Sequence, residues 1–268
     1  MRFTILGSAG FIGRHMTGYL RSRGHNVLTP ARDVDSLRGI ELGHVIYAIG
    51  VTGNFRQAPD AAIEAHVNVL RRLMNGADFE SWLYLSSTRV YGGMPAGAVA
   101  SENAPVPVIS GADSLYDLSK LLGEAVCLGA NHDKIRVARL SNVYGKDQSE
   151  HTFLGSVISD LRSKGRVVIG ESPSSAKDYV SIDDVTVLLT LIAERGRERL
   201  YNIASGQLVE HGRLADVIRA CGYDVNFAPA GPERIFPTID VSRIKSEFGC
   251  KMRSMIEDIS DLIKKEKV

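Results

Sequence analysis

Three closely spaced glycines near the start of the chain constrain its fold more than any other feature. Gly7, Gly10 and Gly13 follow an apolar segment, predicted as a strand at 3–6, and open a helix predicted at 11–23. In such a unit the first glycine permits a tight turn, the second lets the backbone approach a pyrophosphate, and the third lets the helix pack against the strand. The alternative is a turn that serves packing alone. The loop predicts a dinucleotide whose phosphates face the helix N-terminus, in contact with Gly7, Ser8, Gly10, Phe11, Ile12 and Gly13.

Apolar strands alternate with helical segments through the first half of the chain. Strands are predicted at 25–29, 45–49, 82–85 and 135–140, and helices at 58–74 and 115–128. This alternation predicts an α/β fold of the Rossmann type, a doubly wound parallel sheet with right-handed crossovers. The stretch 33–43 has room for only about two turns of helix, so we expect a shortened crossover or a vestigial strand there.

After about Asn142 the pattern loosens. Helices are predicted at 152–163, 182–194, 242–248 and 255–265, and short strands at 167–169 and 200–203. We therefore expect a dinucleotide-binding domain at 1–145 and a small α/β substrate-binding lobe at 146–268, part of which returns to the main domain.

A tyrosine and a lysine lie four residues apart in the helix predicted at 115–128. At this spacing Tyr116 and Lys120 share one helix face. A cation beside a phenol lowers the phenol's pKa from its ordinary value of about 10, so that the tyrosine can exchange a proton near neutrality. A half-buried tyrosine beside a solvated lysine is the alternative. The glycine loop upstream and the segment 85–92 (LSSTRVYG) favour catalysis.

The end of the second predicted strand bears on which dinucleotide binds. An Asp or Glu there would hold the ribose hydroxyls of NAD, whereas a basic residue would suit the extra phosphate of NADP. The chain has no carboxylate where the strand ends, and Arg32 offers a planar fork that matches a phosphate. NADP is favoured, with NAD possible if Arg32 is only a surface residue and Asp33 binds the hydroxyls.

Composition excludes several other classes. With 32 Lys+Arg against 31 Asp+Glu, the net charge of +1 gives no global field for nucleic acid or an anionic membrane. The apolar run at 185–193 is far shorter than the ~20 residues that span a bilayer. The N-terminus runs straight into the glycine loop, which leaves no room for a signal peptide and predicts a cytoplasmic protein. The three cysteines and seven histidines lack disulfide or metal spacing, so no metal is expected.

Further segments complete a pattern that runs nearly the length of the chain. They are 46–50 (IYAIG), 66–69 (HVNV), 85–92 (LSSTRVYG), 139–145 (RLSNVYG) and 178–185 (DYVSIDDV). With the glycine loop and the Tyr116 and Lys120 pair, they resemble the extended short-chain dehydrogenase/reductase family, whose members mostly act on nucleotide-linked sugars. The resemblance implies hydride transfer between a nicotinamide and a carbon bearing oxygen. Tyr116 would move the proton, Ser87 would hydrogen-bond the oxygen, and Lys120 would hold the nicotinamide ribose and lower the pKa of Tyr116.

The resemblance also implies further cofactor contacts, and polar or basic residues elsewhere in the chain are candidates for binding the substrate. The further cofactor contacts are Ala48, Ile49, Gly50 and Asn68, with a purely structural role as the alternative for Asn68. The candidate substrate contacts are Asn142, Lys177 and Arg234 for a nucleotide diphosphate and Thr88 for the sugar, and solvated or packing roles are their alternatives.

Departures from the family pattern narrow the expected reaction. Dehydratases tend to carry Asp and Glu directly after the catalytic hydroxyl, where this chain has Thr88 and Arg89. The short chain is similar to sugar-nucleotide 4-ketoreductases such as the dTDP-4-dehydrorhamnose reductases. An NADPH-dependent reductase of a 4-keto-6-deoxy sugar nucleotide is favoured. The alternatives are an epimerase that keeps its cofactor bound and a non-catalytic NADP-binding sensor.

Self-association is also expected. The helices predicted at 58–74 and 115–128 carry enough apolar positions to pair across a twofold axis, as relatives commonly do. The sequence therefore predicts a homodimer, and the alternative is that these apolar stripes only face the sheet.

Overall fold

The computed structural model describes residues 1–30, 37, 39–51 and 55–264 as mostly parallel strands covered by helices. The strands are β1 Arg2–Leu6, β2 Asn26–Leu28, β3 His44–Tyr47, β4 Ser81–Ser87, β5 Val99–Ala100, β6 Ile135–Leu140, β7 Asn142–Tyr144, β8 Arg166–Ile169, β9 Ala176–Ser181, β10 Leu200–Ile203, β11 Leu208–Glu210, β12 Asp224–Phe227 and β13 Thr238–Ile239. The helices are α1 Phe11–Ser22, α2 Pro59–Ile63, α3 Val69–Met74, α4 Leu115–Leu128, α5 Phe153–Lys164, α6 Ile182–Arg195, α7 His211–Ala220, α8 Ser242–Phe248 and α9 Met255–Ile263. A π-helical turn, Glu64–Asn68, joins α2 to α3, and a 3₁₀ turn, Thr88–Tyr91, follows β4.

The central sheet has six strands in the order β10-β6-β4-β3-β1-β2, and every neighbouring pair is parallel. Side chains alternate between its faces. In β3, for example, Val45 and Tyr47 join a core with α3 and α4, while Ile46 joins the core formed with α1 and α6. Both faces are therefore buried, which explains the nearly continuous apolar strands. The predicted fold class is confirmed.

The chain changes direction across the sheet at β1. β2 pairs on one side of β1, and β3, followed by β4 and β6, lies on the other. The carboxyl ends of β1 and β3 are joined by the Ala48 N–H, which donates to the Leu6 carbonyl at 2.8 Å. In open parallel sheets, ligands bind in the crevice at such a switch point.

A second apolar core lies in the last part of the chain. It is enclosed by α5, α7 and α9 with the paired strands β8 and β12 and the short sheet of β11, β9 and β7. In contrast, α6 and β10 pack with the main sheet, to which Leu189 and Ile203 contribute buried side chains. Within the described ranges, none of the helices combines the length and apolarity needed to cross a bilayer.

The element boundaries follow the sequence patterns to different degrees. The helix predicted at 115–128 coincides with α4, and the strands predicted at 135–140 and 200–203 coincide with β6 and β10. The helix predicted at 58–74 is interrupted by the π-helical turn, where the Ala65 carbonyl accepts a hydrogen bond from the Tyr47 hydroxyl at 2.5 Å. The expectation of a shortened crossover or vestigial strand at 33–43 stays a prediction, because residues 33–36 and 38 lie outside the described residues.

Candidate active site

The glycine loop is shaped by close backbone contacts. Gly7 has φ +91°, which favours glycine, and a Cβ there would lie 2.7 Å from the Ala48 carbonyl carbon. A Cβ on Gly13 would lie 2.2 Å from the Gly7 carbonyl oxygen. Packing therefore accounts for these two glycines.

Gly10 is different, because a Cβ there would meet only the Gly7 carbonyl oxygen at 3.4 Å, an ordinary contact. Packing within the described protein does not require a glycine at this position, which fits the close approach of a ligand. Gly10 is also the N-cap of α1, whose first turn carries no acidic side chain. The helix N-terminus thus offers unopposed backbone N–H groups to an anion such as a pyrophosphate.

The segment after β3 connects this loop to the proposed catalytic pair. Ala48 and Ile49 are half-buried and Gly50 is exposed. A Cβ on Gly50 would lie 3.5 Å from Lys120 Nζ, so the segment passes directly over the lysine. A dinucleotide lying along this edge would reach from the glycine loop to Lys120. Arg32 and Asp33, which bear on NADP or NAD, lie outside the described residues.

His66 is the site residue that sequence reasoning missed. It is fully buried in the π-helical turn, and its Nε2 accepts a hydrogen bond from the Val51 N–H at 3.2 Å. Its Nδ1 lies 2.8 Å from Ser119 Oγ, which donates its own proton to the Tyr116 carbonyl, so Nδ1 carries the ring proton. Burial and the neighbouring Lys120 lower the pKa of His66 to about 3. A neutral histidine therefore ties the segment after β3 to the helix α4.

Asn68, the predicted cofactor contact in the same segment, is exposed. Its amide donates to Glu64 Oε2 at 2.8 Å on the outer face of the helix. The structure thus turns His66 inward and Asn68 outward, as residues two apart on a helix lie on nearly opposite faces. The HVNV motif at 66–69 correctly indicated a segment of the site, but the sequence did not show which of its side chains faces the site.

The three predicted catalytic residues lie together at the carboxyl end of β4. Ser87 ends that strand, and its hydroxyl lies close enough to the phenol of Tyr116 to act against the rise in its pKa. Lys120 lies one turn after Tyr116 in α4, with Nζ 5.9 Å from the centre of the tyrosine ring. Nζ donates to the Leu85 carbonyl at 2.9 Å. All three side chains are buried.

Burial governs the electrostatics of the pair. Desolvation raises the pKa of Tyr116 to about 12, although Arg89 and the Ser87 hydroxyl oppose the rise. Desolvation also lowers the pKa of Lys120 to about 7, against the attraction of Glu124. The phenol is thus protonated at neutral pH, and its pKa is not depressed as the Tyr–Lys spacing alone suggested. The reason is that a buried environment disfavours both charges at once.

A buried ion pair fixes the catalytic helix from behind. Glu124, one turn after Lys120, pairs with Arg139 of β6 at 2.6 Å, and both side chains are almost completely buried. Glu124 also accepts from Ser86 Oγ at 2.5 Å, and Arg139 donates to the Tyr91 hydroxyl at 2.6 Å. This network joins α4 to the ends of β4 and β6.

The predicted substrate contacts fall in two places. Lys177 Nζ lies 3.0 Å from Glu171 Oε2, and Arg234 Nε lies 3.9 Å from Oε1 of the same carboxylate. Desolvation lowers the pKa of Lys177, and the charges of Arg234 and Arg89 act in the same direction. Asn142 is exposed and donates to the Asp178 carbonyl at 2.8 Å. Thr88 is half-buried directly after Ser87.

Known proteins resemble this chain over most of its length. A model of the NAD dependent epimerase/dehydratase family matches residues 3–204. The chain is 27% identical over 233 residues to GDP-6-deoxy-D-mannose reductase from Pseudomonas aeruginosa, covering 77% of this chain and 75% of that protein. It is 25% identical over 301 aligned positions to dTDP-6-deoxy-L-talose 4-dehydrogenase (NAD(P)(+)) from Kitasatospora kifunensis, covering 96% and 92%.

The fold comparison agrees with these matches. The solved structure of MoeE5 in complex with UDP-glucose and NAD superposes with a TM-score of 0.81 at 24% identity, covering 98% of this chain and 97% of that one. The resemblance to the extended short-chain dehydrogenases and reductases is confirmed, as are the enzyme class and the nicotinamide cofactor. Because the family model covers most of the sequence, the chain belongs to the NAD dependent epimerase/dehydratase family.

Proposed function

We propose that the protein is an NADPH-dependent oxidoreductase that reduces the keto group of a nucleotide-linked 4-keto-6-deoxy sugar, with Tyr116 as the acid. The observation that carries this proposal is the placement of the buried Tyr116 phenol beside the buried Ser87 and Lys120 at the carboxyl end of β4. The names of two relatives, a deoxy-sugar reductase and a deoxy-sugar 4-dehydrogenase, support the same reaction class.

The proposed mechanism assigns one task to each residue. When bound, the cofactor supplies the hydride that adds to the carbonyl carbon of the substrate. As the carbonyl electrons move to oxygen, Tyr116 donates its proton to that oxygen and Ser87 donates a hydrogen bond to it. Such general acid catalysis contributes about 10² to 10⁴ in rate. Lys120 holds the nicotinamide ribose, and the N-terminus of α1 binds the pyrophosphate.

The substrate diphosphate is proposed to bind to Lys177 and Arg234. Both cations already converge on Glu171, so the spacing between them suits a compact anion. Thr88 and Asn142 complete the proposed contacts to the substrate. In this arrangement residues 1–145 hold the cofactor, and residues 146–268 supply the two proposed contacts to the diphosphate.

NADP is preferred to NAD in this proposal because of Arg32. A homodimer through the α2–α3 segment and α4 is also proposed, since Ile63 and Leu122 expose 39% and 52% of their surface there. Light scattering that finds a monomer at micromolar concentration would contradict the dimer.

The experiment combines purified protein and NADPH with a panel of GDP-, dTDP- and UDP-linked 4-keto-6-deoxy sugars and follows the absorbance of the reduced nicotinamide. Stoichiometric oxidation that is lost in Tyr116→Phe, while cofactor binding measured by fluorescence persists, is the expected result. A new sugar isomer without net oxidation would replace the proposal by an epimerase. Cofactor binding without either product, across the whole panel, would favour the sensor.

A further inference from the structure

Arg89 contacts the Ser87 hydroxyl and lies over the ring of Tyr116. It lies in the 3₁₀ turn that follows β4, and its backbone N–H donates to Ser87 Oγ at 3.2 Å. Its guanidinium carbon lies 5.1 Å from the centre of the Tyr116 ring. The residue therefore constrains Ser87 through its main chain and faces Tyr116 with its charge.

The guanidinium is held in this position from two sides. Asp117, the neighbour of Tyr116 in α4, accepts from Arg89 Nε at 3.1 Å and from Nη2 at 3.4 Å. The Phe55 ring lies 5.6 Å from the guanidinium carbon and 5.4 Å from the Tyr116 ring. A two-point ion pair and two aromatic rings thus limit the movement of the charge relative to the phenol.

Other titratable groups face the phenol from each neighbouring element, but they differ from Arg89 in charge or direction. They are Lys120 in α4, His66 in the π-helical turn and Tyr84 in β4, while Arg56 before α2 lies over the neighbouring Phe55 ring. Lys120 directs Nζ to the Leu85 carbonyl, and Arg56 is paired with Asp113. Burial keeps His66 and Tyr84 uncharged near neutrality, since it lowers the pKa of the histidine and raises that of the tyrosine.

We propose that Arg89 is a positioning residue of the reaction, whose amide orients Ser87 and whose guanidinium stabilises the negative charge left on Tyr116 when its proton is transferred. The inference rests on the proposed function. A cation whose guanidinium carbon lies 5.1 Å from the ring centre acts on the phenolate through space, although solvent screens the 45% exposed Arg89 side chain in part. Asp117 has the opposite sign and therefore acts in the opposite direction.

This difference in sign separates an electrostatic role from a structural one. Arg89→Gln and Asp117→Asn each break the same ion pair. If the pair only held the turn against α4, both substitutions would disturb Tyr116 in the same direction. If its charges act on the phenolate, Arg89→Gln raises the pKa of Tyr116 and Asp117→Asn lowers it, since Arg89 lowers that pKa in the intact protein and Asp117 raises it.

The test is carbon NMR of the full chain labelled at tyrosine Cζ, at one alkaline pH at which circular dichroism shows each variant folded. The resonance lost in Tyr116→Phe is assigned to Tyr116, and its chemical shift gives the ratio of ionised to neutral phenol. We expect this ratio to fall about tenfold in Arg89→Gln, to rise several-fold in Asp117→Asn, and to stay near the wild-type value in Arg89→Lys. The proposal would be overturned if the ratio of ionised to neutral phenol changed in the same direction in Arg89→Gln and Asp117→Asn, or changed in neither.

The readout needs no substrate, so failure of the reductase proposal leaves it intact. A protein that oxidises no NADPH but shows opposite shifts would retain the role of Arg89 for Tyr116 and lose only the assigned reaction. If Arg89→Gln does not fold, Asp117→Asn must still raise the ionised fraction relative to wild type, and an unchanged or lower fraction would overturn the proposal.

Discussion

Removing the charge of Glu124 is expected to destabilise the protein strongly. Glu124→Gln keeps the shape of the side chain and an acceptor for Ser86 Oγ, but it leaves Arg139 as a buried, uncompensated cation. Both side chains of the pair expose 6% or less of their surface. Breaking a buried pair by removing one partner typically costs about 3 to 5 kcal/mol. For a domain of this size, a loss of about 3 kcal/mol corresponds to a decrease of roughly 6 to 12 °C in Tm.

Urea unfolding followed by circular dichroism would measure this loss, with Glu41→Gln as the matched control. Glu41 pairs with Arg2 at 3.2 Å, but the two side chains are 62% and 41% exposed, so its loss should cost less than about 1 kcal/mol. The double variant Glu124→Leu with Arg139→Met should recover part of the stability, because it leaves no unpaired charge. If Glu124→Gln costs no more than Glu41→Gln, the reasoning that burial controls the energy of this pair is refuted.

Further outcomes can be checked on the site itself. Tyr116→Phe should lower the rate of NADPH oxidation by about 10² to 10⁴ with unchanged cofactor affinity, measured by stopped-flow absorbance and fluorescence titration; a rate near wild type would exclude Tyr116 as the acid. Gly13→Ala should abolish cofactor binding in calorimetry, since its Cβ would lie 2.2 Å from the Gly7 carbonyl oxygen, whereas Gly18→Ala, with open space around it, should bind normally. The pKa of His66 is about 3 in the folded protein, against an ordinary value of 6.5. Between these pH values the unfolded chain binds more protons than the folded one, so the free energy of unfolding decreases as the pH falls through this window. Urea midpoints of His66→Asn should depend less on pH there than those of wild type, by up to about 1.4 kcal/mol per pH unit, and parallel pH curves would contradict the assignment.

The parts of the fold that the sequence predicts are those set by local chemistry. The backbone of the turn after β1 has a positive φ at position 7, which favours glycine. The identity of that single residue in the sequence is enough to predict the turn. Helix α4 is long enough for its apolar spacing to define both ends. Short strands such as β7 and β11, with three residues each, carry no comparable period and form through pairing with β9. Their positions depend on contacts between distant segments, which spacing does not encode.

The site shows the same contrast between features set by local sequence and features set by contacts between distant segments. The motifs identified Ser87, Tyr116 and Lys120 as neighbours, and the structure brings them together. The environment of these residues was not predictable, because it depends on how deeply α4 is buried and on which side chains enter from other elements. His66 and Arg89 come from the π-helical turn and the turn after β4, and neither belongs to the Tyr–Lys spacing. Spacing on one helix can define a pair of residues, but not the solvation that sets their pKa values.

The solvation of Tyr116 bears on the choice between a reductase and an epimerase. An epimerase must first oxidise its substrate, and for that step the tyrosine has to be ionised to accept a proton. A reductase begins with a protonated tyrosine that gives its proton away. Because burial raises the pKa of Tyr116 to about 12, nearly all molecules at neutral pH begin with the phenol rather than the phenolate. A phenol that begins protonated can donate its proton without a prior change in ionisation, which agrees with the proposed reductase, although its raised pKa also makes it a weaker acid.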